Sequence, residues 1–132
     1  MEMICQMEFN SKQNRHLPAF LLLFLLDGEA HGGALWNRIR TMLPEEWNID
    51  SGAVYRVLRD LEQRGSVQST WSMDESGPPK RVYRITDAGK QELMWWRKDI
   101  QLRKQNLESF LQMIDKHIRA GALKLEGDGN GE

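Results

Sequence analysis

Two short basic segments carry the side chains whose types and spacing could bind an anion. Residues 51–65, SGAVYRVLRDLEQRG, hold a tyrosine and three arginines among apolar residues at helical spacing. Residues 77–84, GPPKRVYR, hold a lysine and two arginines after a Gly-Pro-Pro turn. Arginine pins phosphates and reads guanine edges, and a tyrosine hydroxyl can donate to a phosphate oxygen. The candidate contacts with a phosphate polymer are Ser51, Gly52, Tyr55, Arg56, Arg59, Lys80, Arg81 and Arg84.

The apolar period predicts three helices that would position the first of these segments. Residues 17–26, LPAFLLLFLL, predict a buried core helix that has a proline in its first turn. After a Gly-rich break at 27–33, apolar residues recur at helical spacing over 34–43. Ser51 is expected to be the N-cap of the third helix, and Gly65 ends it. The apolar stripe of this helix packs inward, which leaves its basic face outward.

Two strands follow, because the period changes from helical to alternating. Residues 66–74 place Val67, Ser69, Trp71 and Met73 on one face, and residues 81–86 alternate again. The turn between them makes a β-hairpin, whose loop side carries the second basic segment. A long helix restarts at about 87 with Thr86 or Asp87 as its cap and extends to about 119. Trp36, Trp47 and Trp71 are expected to have packing roles.

Three helices, a hairpin and a long helix predict a mainly α (α+β) fold, a winged helix-turn-helix. In this fold the third helix enters the major groove of DNA and the hairpin contacts a flanking phosphate backbone. The alternative is an ordinary solvated helix, since Asp60 and Glu62 offset part of its positive charge. The expected division is an arm or short helix at 1–16, the winged domain at 17–86, a dimerisation helix at 87–120 and a disordered tail at 121–132.

Composition limits the classes of function. The 132 residues include 18 basic and 19 acidic ones, so any nucleic-acid site must be a local patch. Cys5 is the single cysteine, which excludes an internal disulfide and favours a cytoplasmic protein. The apolar run at 17–26 has about half the length of a membrane span, so neither a membrane partner nor secretion is expected. The three histidines are too scattered for a metal site, and no nucleotide-binding fingerprint is present. We therefore expect no cofactor, no metal and no enzymatic activity.

The long helix carries its own apolar pattern, an imperfect heptad that predicts a helix–helix seam. Its members are Leu93, Trp96, Ile100, Leu107, Phe110 and Ile114. A helix of this length extends beyond what one small domain can cover, which predicts a homodimer. The alternative is packing on its own domain only. Trp95 and Trp96 point about 100° apart, so one can lie in the seam while the other faces the winged domain.

The chain resembles the PadR family of bacterial winged-helix transcriptional regulators over about 17–118. The resemblance rests on LLLFLL, on HGGAL, on SGAVYRVLRDLEQRG and on GPPKRVYRITDAGKQEL. The chain departs from the family pattern at Gly33, where an aromatic residue is common, and at Arg56, where a proline is common. The resemblance implies a homodimeric repressor that a small-molecule effector releases from a palindromic operator. It also implies an effector pocket formed by aromatic residues near the dimer interface, for which Trp95 and Trp96 are the candidates, although core packing is the alternative role.

A second function class stays open on the residues alone. A winged helix without DNA binding could serve as a protein-interaction adaptor that docks a partner on its long helix. The near-neutral net charge and the acidic end of the chain are compatible with this alternative. The basic set on the third helix and the hairpin separates the two, because an adaptor does not need it.

Overall fold

The computed structural model describes residues 15–45, 49–73 and 77–124. Along the chain these residues form α1 (Leu17–Leu25), β1 (Ala30–His31), α2 (Gly32–Met42), α3 (Ser51–Gln63), β2 (Val67–Ser72), β3 (Lys80–Ile85) and α4 (Asp87–Arg119). This order confirms the predicted α+β winged helix-turn-helix with a long C-terminal helix. The expectations for the arm before Arg15, for Cys5 and Trp47, and for the tail beyond Lys124 lie outside the described residues.

Helix α1 is the centre of the hydrophobic core, as its sequence predicts. Pro18 lies in its first turn, where the missing N–H has no helical partner to lose. Six of its nine residues are buried, with only Leu23 and the following Leu26 substantially exposed among its large apolar side chains. Helices α2 and α3 and the sheet cover it, and the core residues they contribute are Leu35, Ile39, Ala53, Val54, Leu58, Leu61, Val67 and Tyr83.

The N-cap of α3 is Asp50, so the prediction that Ser51 caps this helix is wrong. The extended backbone of Asp50 lets Oδ1 accept a hydrogen bond from Ala53 N at 2.8 Å. A carboxylate also interacts favourably with the positive end of the helix dipole, which a serine hydroxyl does only weakly. Ser51 is instead the first helical residue. The C-terminal end follows the prediction, since Gly65 has φ of 81° and lies just beyond the helix.

The sheet has three strands in the order β1-β3-β2, all antiparallel neighbours. The hairpin runs from the pair Val67↔Ile85 to the pair Ser72↔Lys80. Strand β1 adds the pairs Ala30↔Tyr83 and His31↔Val82 on the other side of β3. The sequence predicts only a Gly-rich break there, because two residues are too few to show an alternation. Pairing with β3 makes this segment a strand.

The predicted face of β2 is correct near the helices and fails near the hairpin tip. Val67 is buried and Ser69 is half-buried, but Trp71 is 59% exposed and Met73 is exposed still further. The packing role expected for Trp71 is therefore wrong. Alternation determines which face a side chain points to, but not whether another element covers that face. Trp36, in contrast, is partly buried against the core, as expected.

The first turn of α4 packs closely on the turn that joins α3 to β2. Thr86 is its cap, since its Oγ1 accepts a hydrogen bond from Gly89 N at 3.0 Å. The same hydroxyl donates to Gly65 O at 2.6 Å, and Thr86 N donates to Ser66 O at 3.1 Å. A Cβ at Gly89 would collide with the Ser66 carbonyl oxygen and lie 2.7 Å from Ile85 Cγ1. Gly89 therefore permits this close approach.

The described residues divide into two compact units, one that ends at Trp96 and one that begins at Arg97. Leu93 and Trp96 of α4 pack against the core of the first unit. In the second unit, Leu107 and Phe110 are 64% and 58% exposed, and Ile114 is half-buried. Within the described residues, no helix combines the length and apolar character needed to span a membrane.

Candidate nucleic-acid interface

Helix α3 separates an apolar face from a basic one, as the sequence predicts. Its buried side chains are Ala53, Val54, Leu58 and Leu61. Gly52, Tyr55, Arg56 and Arg59 are exposed, and Ser51 is half-buried in the first turn. Within the described residues neither Arg56 nor Arg59 forms an ion pair. Both guanidinium groups therefore remain available to an anion.

Tyr55 is held in place by the start of α2. Its side chain is 42% exposed, and its ring lies directly over Gly32. A Cβ at Gly32 would be 2.9 Å from Tyr55 Cζ, which is closer than carbon atoms pack. Sequence reasoning included Gly32 in the HGGAL motif but did not connect it with Tyr55. The sequence did contain a signal for this contact. Two glycines stand at the start of α2, where helix propensity disfavours glycine, which indicates that space is needed there.

Arg56 lies over the first turn of α3. The position of a Cβ on Gly52 would be 3.3 Å from Arg56 Nη1, so the guanidinium folds back toward the helix N-terminus. The unpaired N–H groups and the positive dipole of that terminus favour an anion at the same place. The Asp50 carboxylate already occupies part of this end, since it accepts from Ala53 N, so the Arg56 guanidinium beside Gly52 is the group that offers a phosphate a positive charge there.

The three predicted wing cations lie on β3 itself rather than in the loop. Lys80 is the first residue of the strand and is exposed. Arg84 Nη2 donates a hydrogen bond to Gln68 Oε1 at 3.2 Å across the β2–β3 pair. Arg81 points to the opposite face, because successive strand residues alternate. The structure therefore divides this basic set into an outer pair, Lys80 and Arg84, and a single arginine that faces the helices.

Arg81 has two neighbours that sequence reasoning did not assign to it. Its Nη1 lies 3.8 Å from Glu62 Oε1 of α3, and its guanidinium carbon lies 5.0 Å from the centre of the Trp71 ring. Tyr83 lies in the same cluster, and burial raises the pKa of its hydroxyl. From the sequence, Glu62 was expected only to offset part of the positive charge of the arginines on α3. The structure makes it a contact between the helix and the hairpin.

A second carboxylate, Glu92, joins the end of α3 to the first turns of α4. It accepts hydrogen bonds from Arg64 Nε and Nη2 at 3.0 and 2.7 Å, from Ser66 Oγ at 2.6 Å and from Trp96 Nε1 at 3.0 Å. The bonds from Arg64, followed by those from Ser66 and Trp96, lower the pKa of Glu92 from 4.5 to about 2, although partial burial opposes this shift. The hydrogen bond to Glu92 likewise raises the pKa of Arg64. Sequence reasoning missed this network, since its partners are far apart along the chain.

The two candidate effector residues have different surroundings. Trp96 packs against the core and donates to Glu92, whereas Trp95 is 58% exposed. Their rings meet edge to face, with centroids 5.0 Å apart. The core-packing role thus fits Trp96 and does not fit Trp95. A cleft of about 290 Å³ lies elsewhere, between the end of α2 and the start of α3, beside Trp36, Arg40 and Asp50.

The predicted seam residues also separate into two groups. Leu93 and Trp96 already pack on the core of their own unit, and Ile100 is half-buried. Beyond Arg97 the exposed apolar side chains of α4 include the predicted Leu107 and Phe110 and also, without having been predicted, Leu102, Leu111 and Met113. Within the described residues no group of three or more His, Cys, Asp or Glu side chains could hold a metal ion.

Residues 21–94 match the family model described as Transcriptional regulator PadR-like family. A probable transcriptional regulator of Mycobacterium tuberculosis is 29% identical over 116 residues, which are 88% of this chain and 61% of the relative. The negative transcriptional regulator PadR of Bacillus subtilis is 28% identical over 82 residues, which are 62% of this chain and 45% of the relative. The chain therefore spans less than two thirds of the length of these curated relatives.

Solved structures show the same fold. The crystal structure of Bacillus subtilis PadR in complex with operator DNA aligns with a TM-score of 0.55 and 28% identity, over 61% of this chain and 46% of that one. A PadR family transcriptional regulator from Eggerthella lenta aligns with a TM-score of 0.68 and 23% identity, over 83% of this chain and 94% of that one. The second likeness supports the fold alone.

Proposed function

This chain belongs to the PadR-like family of transcriptional regulators, and from that membership we propose that it represses transcription by binding operator DNA as a homodimer. The observation that carries the proposal is the basic face of α3, where Tyr55, Arg56 and Arg59 are exposed opposite a buried apolar face. The Bacillus subtilis relative was crystallised with operator DNA, which supports DNA as the partner. A repressor of this kind works in the cytoplasm, where the bacterial chromosome is.

In this proposal α3 enters the major groove and β3 contacts the flanking backbone. Arg56 and Arg59 read base edges or pin phosphates from the exposed face of α3. Tyr55 donates its hydroxyl to a phosphate, because the contact with Gly32 holds the ring near the start of the helix. Lys80, Arg81 and Arg84 bind phosphates of the adjacent backbone from the wing, where the Arg81 side chain is 46% exposed. These contacts combine sequence reading by the helix with a nonspecific electrostatic contribution by the wing.

The distal half of α4 supplies the proposed dimer interface. Leu107 and Phe110 are exposed within one helix that also exposes Leu102, Leu111 and Met113. Leu107, Phe110 and Leu111 lie at i, i+3 and i+4 and so share one face of the helix, and an exposed apolar face of this kind is rare on the surface of a monomer. A second copy related by a two-fold axis would cover it and present two α3 helices to DNA. The operator is then palindromic, with half-site centres about 34 Å apart or a multiple of that distance.

Trp95 and Trp96 are the proposed place for a small-molecule effector. The exposed ring of Trp95 beside the half-buried ring of Trp96 offers a stacking surface for a planar apolar compound. Trp96 connects this surface to the end of α3 through Glu92 and Arg64. An effector that moves the Trp96 ring would thus act on the DNA-binding helix and release the repressor.

The test of DNA binding is the salt dependence of affinity for a duplex that carries the promoter region of the protein's own gene. Replacing Lys80 and Arg81 together by Ala should flatten the slope of log K against log salt by up to about 2 for each wing. The charge-matched control replaces Lys104 and Lys116, two exposed residues of α4, by Ala and should leave the slope unchanged. Salt-independent or absent DNA binding by the wild-type protein would refute the proposal and favour the protein-interaction adaptor.

A further inference from the structure

Glu62 lies in the last turn of α3 and contacts both strands of the wing. Its Oε2 accepts a hydrogen bond from Ser69 Oγ of β2 at 2.6 Å. Its Oε1 lies 3.8 Å from Arg81 Nη1 of β3. A single side chain of the DNA-facing helix is therefore attached to the hairpin at two points. These contacts add to the shared apolar core in holding together the two elements that the proposed function assigns to DNA.

Arg81 is restrained from the other side as well. Its guanidinium carbon lies 5.0 Å from the centre of the Trp71 ring, and Trp71 is its direct cross-strand neighbour. The side chain of Arg81 nevertheless remains 46% exposed. A long cationic side chain held between a carboxylate and an indole loses little further rotamer freedom when it binds a phosphate. Arg81 is thus accessible to DNA and already oriented.

The negative charge of Glu62 works against DNA binding in general. An acid beside a phosphate-binding arginine weakens attraction to every duplex, whatever its sequence. A group that lowers affinity for wrong partners more than for the right one increases specificity. Glu62 lowers affinity for wrong duplexes more than for the operator if its positioning of the wing improves binding only where α3 and the wing dock together.

We propose that Glu62 is a positioning residue that determines specificity: it holds the wing and α3 at the spacing that an operator requires and penalises duplexes on which only one of them docks. This inference rests on the proposed function. On nonspecific DNA the cations bind phosphates singly, so the spacing of the two elements has little effect. On the operator both elements bind at once, and the positions of Ser69 and Arg81 relative to α3 decide the fit.

The experiment compares three variants with the wild-type protein on two duplexes. The first duplex is one that the wild-type protein enriches from a random-sequence pool, and the second has the same composition in shuffled order. Glu62→Gln removes the charge, and Ser69→Ala removes the hydroxyl donor without a charge change. Asp60→Asn is the matched control. This substitution removes one negative charge from the same helix, and the Asp60 carboxylate accepts no side-chain hydrogen bond among the described residues. Thermal unfolding checks that each variant is folded.

The readout is the ratio of operator affinity to shuffled-duplex affinity at one salt concentration. Glu62→Gln should lower this ratio about tenfold, as expected for loss of a charge-assisted contact. Ser69→Ala should lower it in the same direction while leaving affinity for the shuffled duplex unchanged. Asp60→Asn should raise both affinities equally and leave the ratio at its wild-type value.

Two failures can be told apart. If Glu62→Gln and Asp60→Asn change the ratio alike, or if Ser69→Ala leaves the ratio at its wild-type value, Glu62 acts only as a charge and the inference is overturned, although the proposed function stands. If the wild-type protein enriches no sequence and shows no salt-dependent binding, the proposed function fails and the inference fails with it.

Discussion

At the scale of single residues, the position of Tyr55 depends on a glycine in another helix. Gly32 has an ordinary helical backbone, and its φ is not among the positive values found at Gly28, Gly65 and Gly121. The reason for a glycine here is therefore space for the Tyr55 ring rather than backbone conformation. The neighbouring Gly33 has room for a methyl group, since a Cβ there would lie 3.4 Å from its nearest atom, His31 Nδ1.

We predict opposite effects for alanine at these two adjacent glycines. Gly32→Ala should destabilise the protein by about 1–3 kcal/mol, because the new Cβ displaces the Tyr55 ring. Gly33→Ala should be neutral or stabilising by up to about 0.5 kcal/mol, because alanine favours the helix. Urea unfolding of the two variants measures both effects. Equal stability of the two variants would show that Tyr55 moves away without cost.

At the scale of elements, one carboxylate adds side-chain hydrogen bonds to the backbone contacts that Thr86 and Gly89 make between the end of α3 and α4. Glu92 belongs to α4, and its partners Arg64 and Ser66 belong to the turn after α3. The Glu92 side chain is 17% exposed and the Arg64 side chain 46% exposed, so water weakens the pair in part. The low pKa of Glu92 means that the folded protein keeps this carboxylate ionised down to about pH 2.

This pKa shift predicts a loss of stability in acid. Because the folded pKa lies below the ordinary 4.5, the contribution of Glu92 is complete above about pH 5 and is lost as pH falls toward 2. After allowance for solvent screening, it amounts to about 1–2 kcal/mol. Glu92→Gln should therefore be less stable than wild type by this amount at pH 7, and the difference should shrink at pH 3.

Urea unfolding at both pH values measures this difference. Glu108→Gln, which changes an exposed glutamate of α4 with no side-chain partner among the described residues, is the control. It should match the wild-type protein at pH 7. A gap between wild type and Glu92→Gln that stays constant from pH 7 to pH 3 would show that the ionised state of Glu92 contributes nothing.

At the scale of the whole molecule, the boundary between the two compact units suggests where the chain can be shortened. The first unit ends at Trp96 and includes Leu93 and Trp96 in its packing. A chain that ends after Asp99 keeps these contacts and loses the exposed apolar residues of α4 that lie beyond Arg97. The proposed dimer depends on the part that is removed, and the proposed winged domain does not.

We predict that the fragment 1–99 is a folded monomer and that the full chain is a dimer at micromolar concentration. Loss of the second copy should weaken operator binding by about 10²–10⁴, because each half then binds its half-site alone. Sedimentation and operator binding on the same samples measure both properties. A chain that ends at residue 120 is the control and should behave like the full chain. A dimeric 1–99 fragment would contradict the assignment of the interface to α4.

The sequence by itself determined the features that consecutive residues express. The 3.6-residue period identified the helices, the alternation at 66–74 and 81–86 identified the hairpin, and the division of α3 into an apolar and a basic face was correct. Glycine and proline residues identified where helices end. These features are local, because a helix or strand places each residue relative to its near neighbours in a known way.

Only the tertiary structure decided the features that join distant residues. Strand β1 exists because it pairs with β3, and Glu92 meets Arg64 across 28 positions of the chain. Glu62 contacts Arg81 because α3 packs under the hairpin, while Trp71 is exposed because none of the residues that the structure describes covers that end of the sheet. The choice of Asp50 over the adjacent Ser51 as cap depended on the chain direction entering α3. Such contacts depend on how elements pack together, and no short-range period in the sequence records that packing.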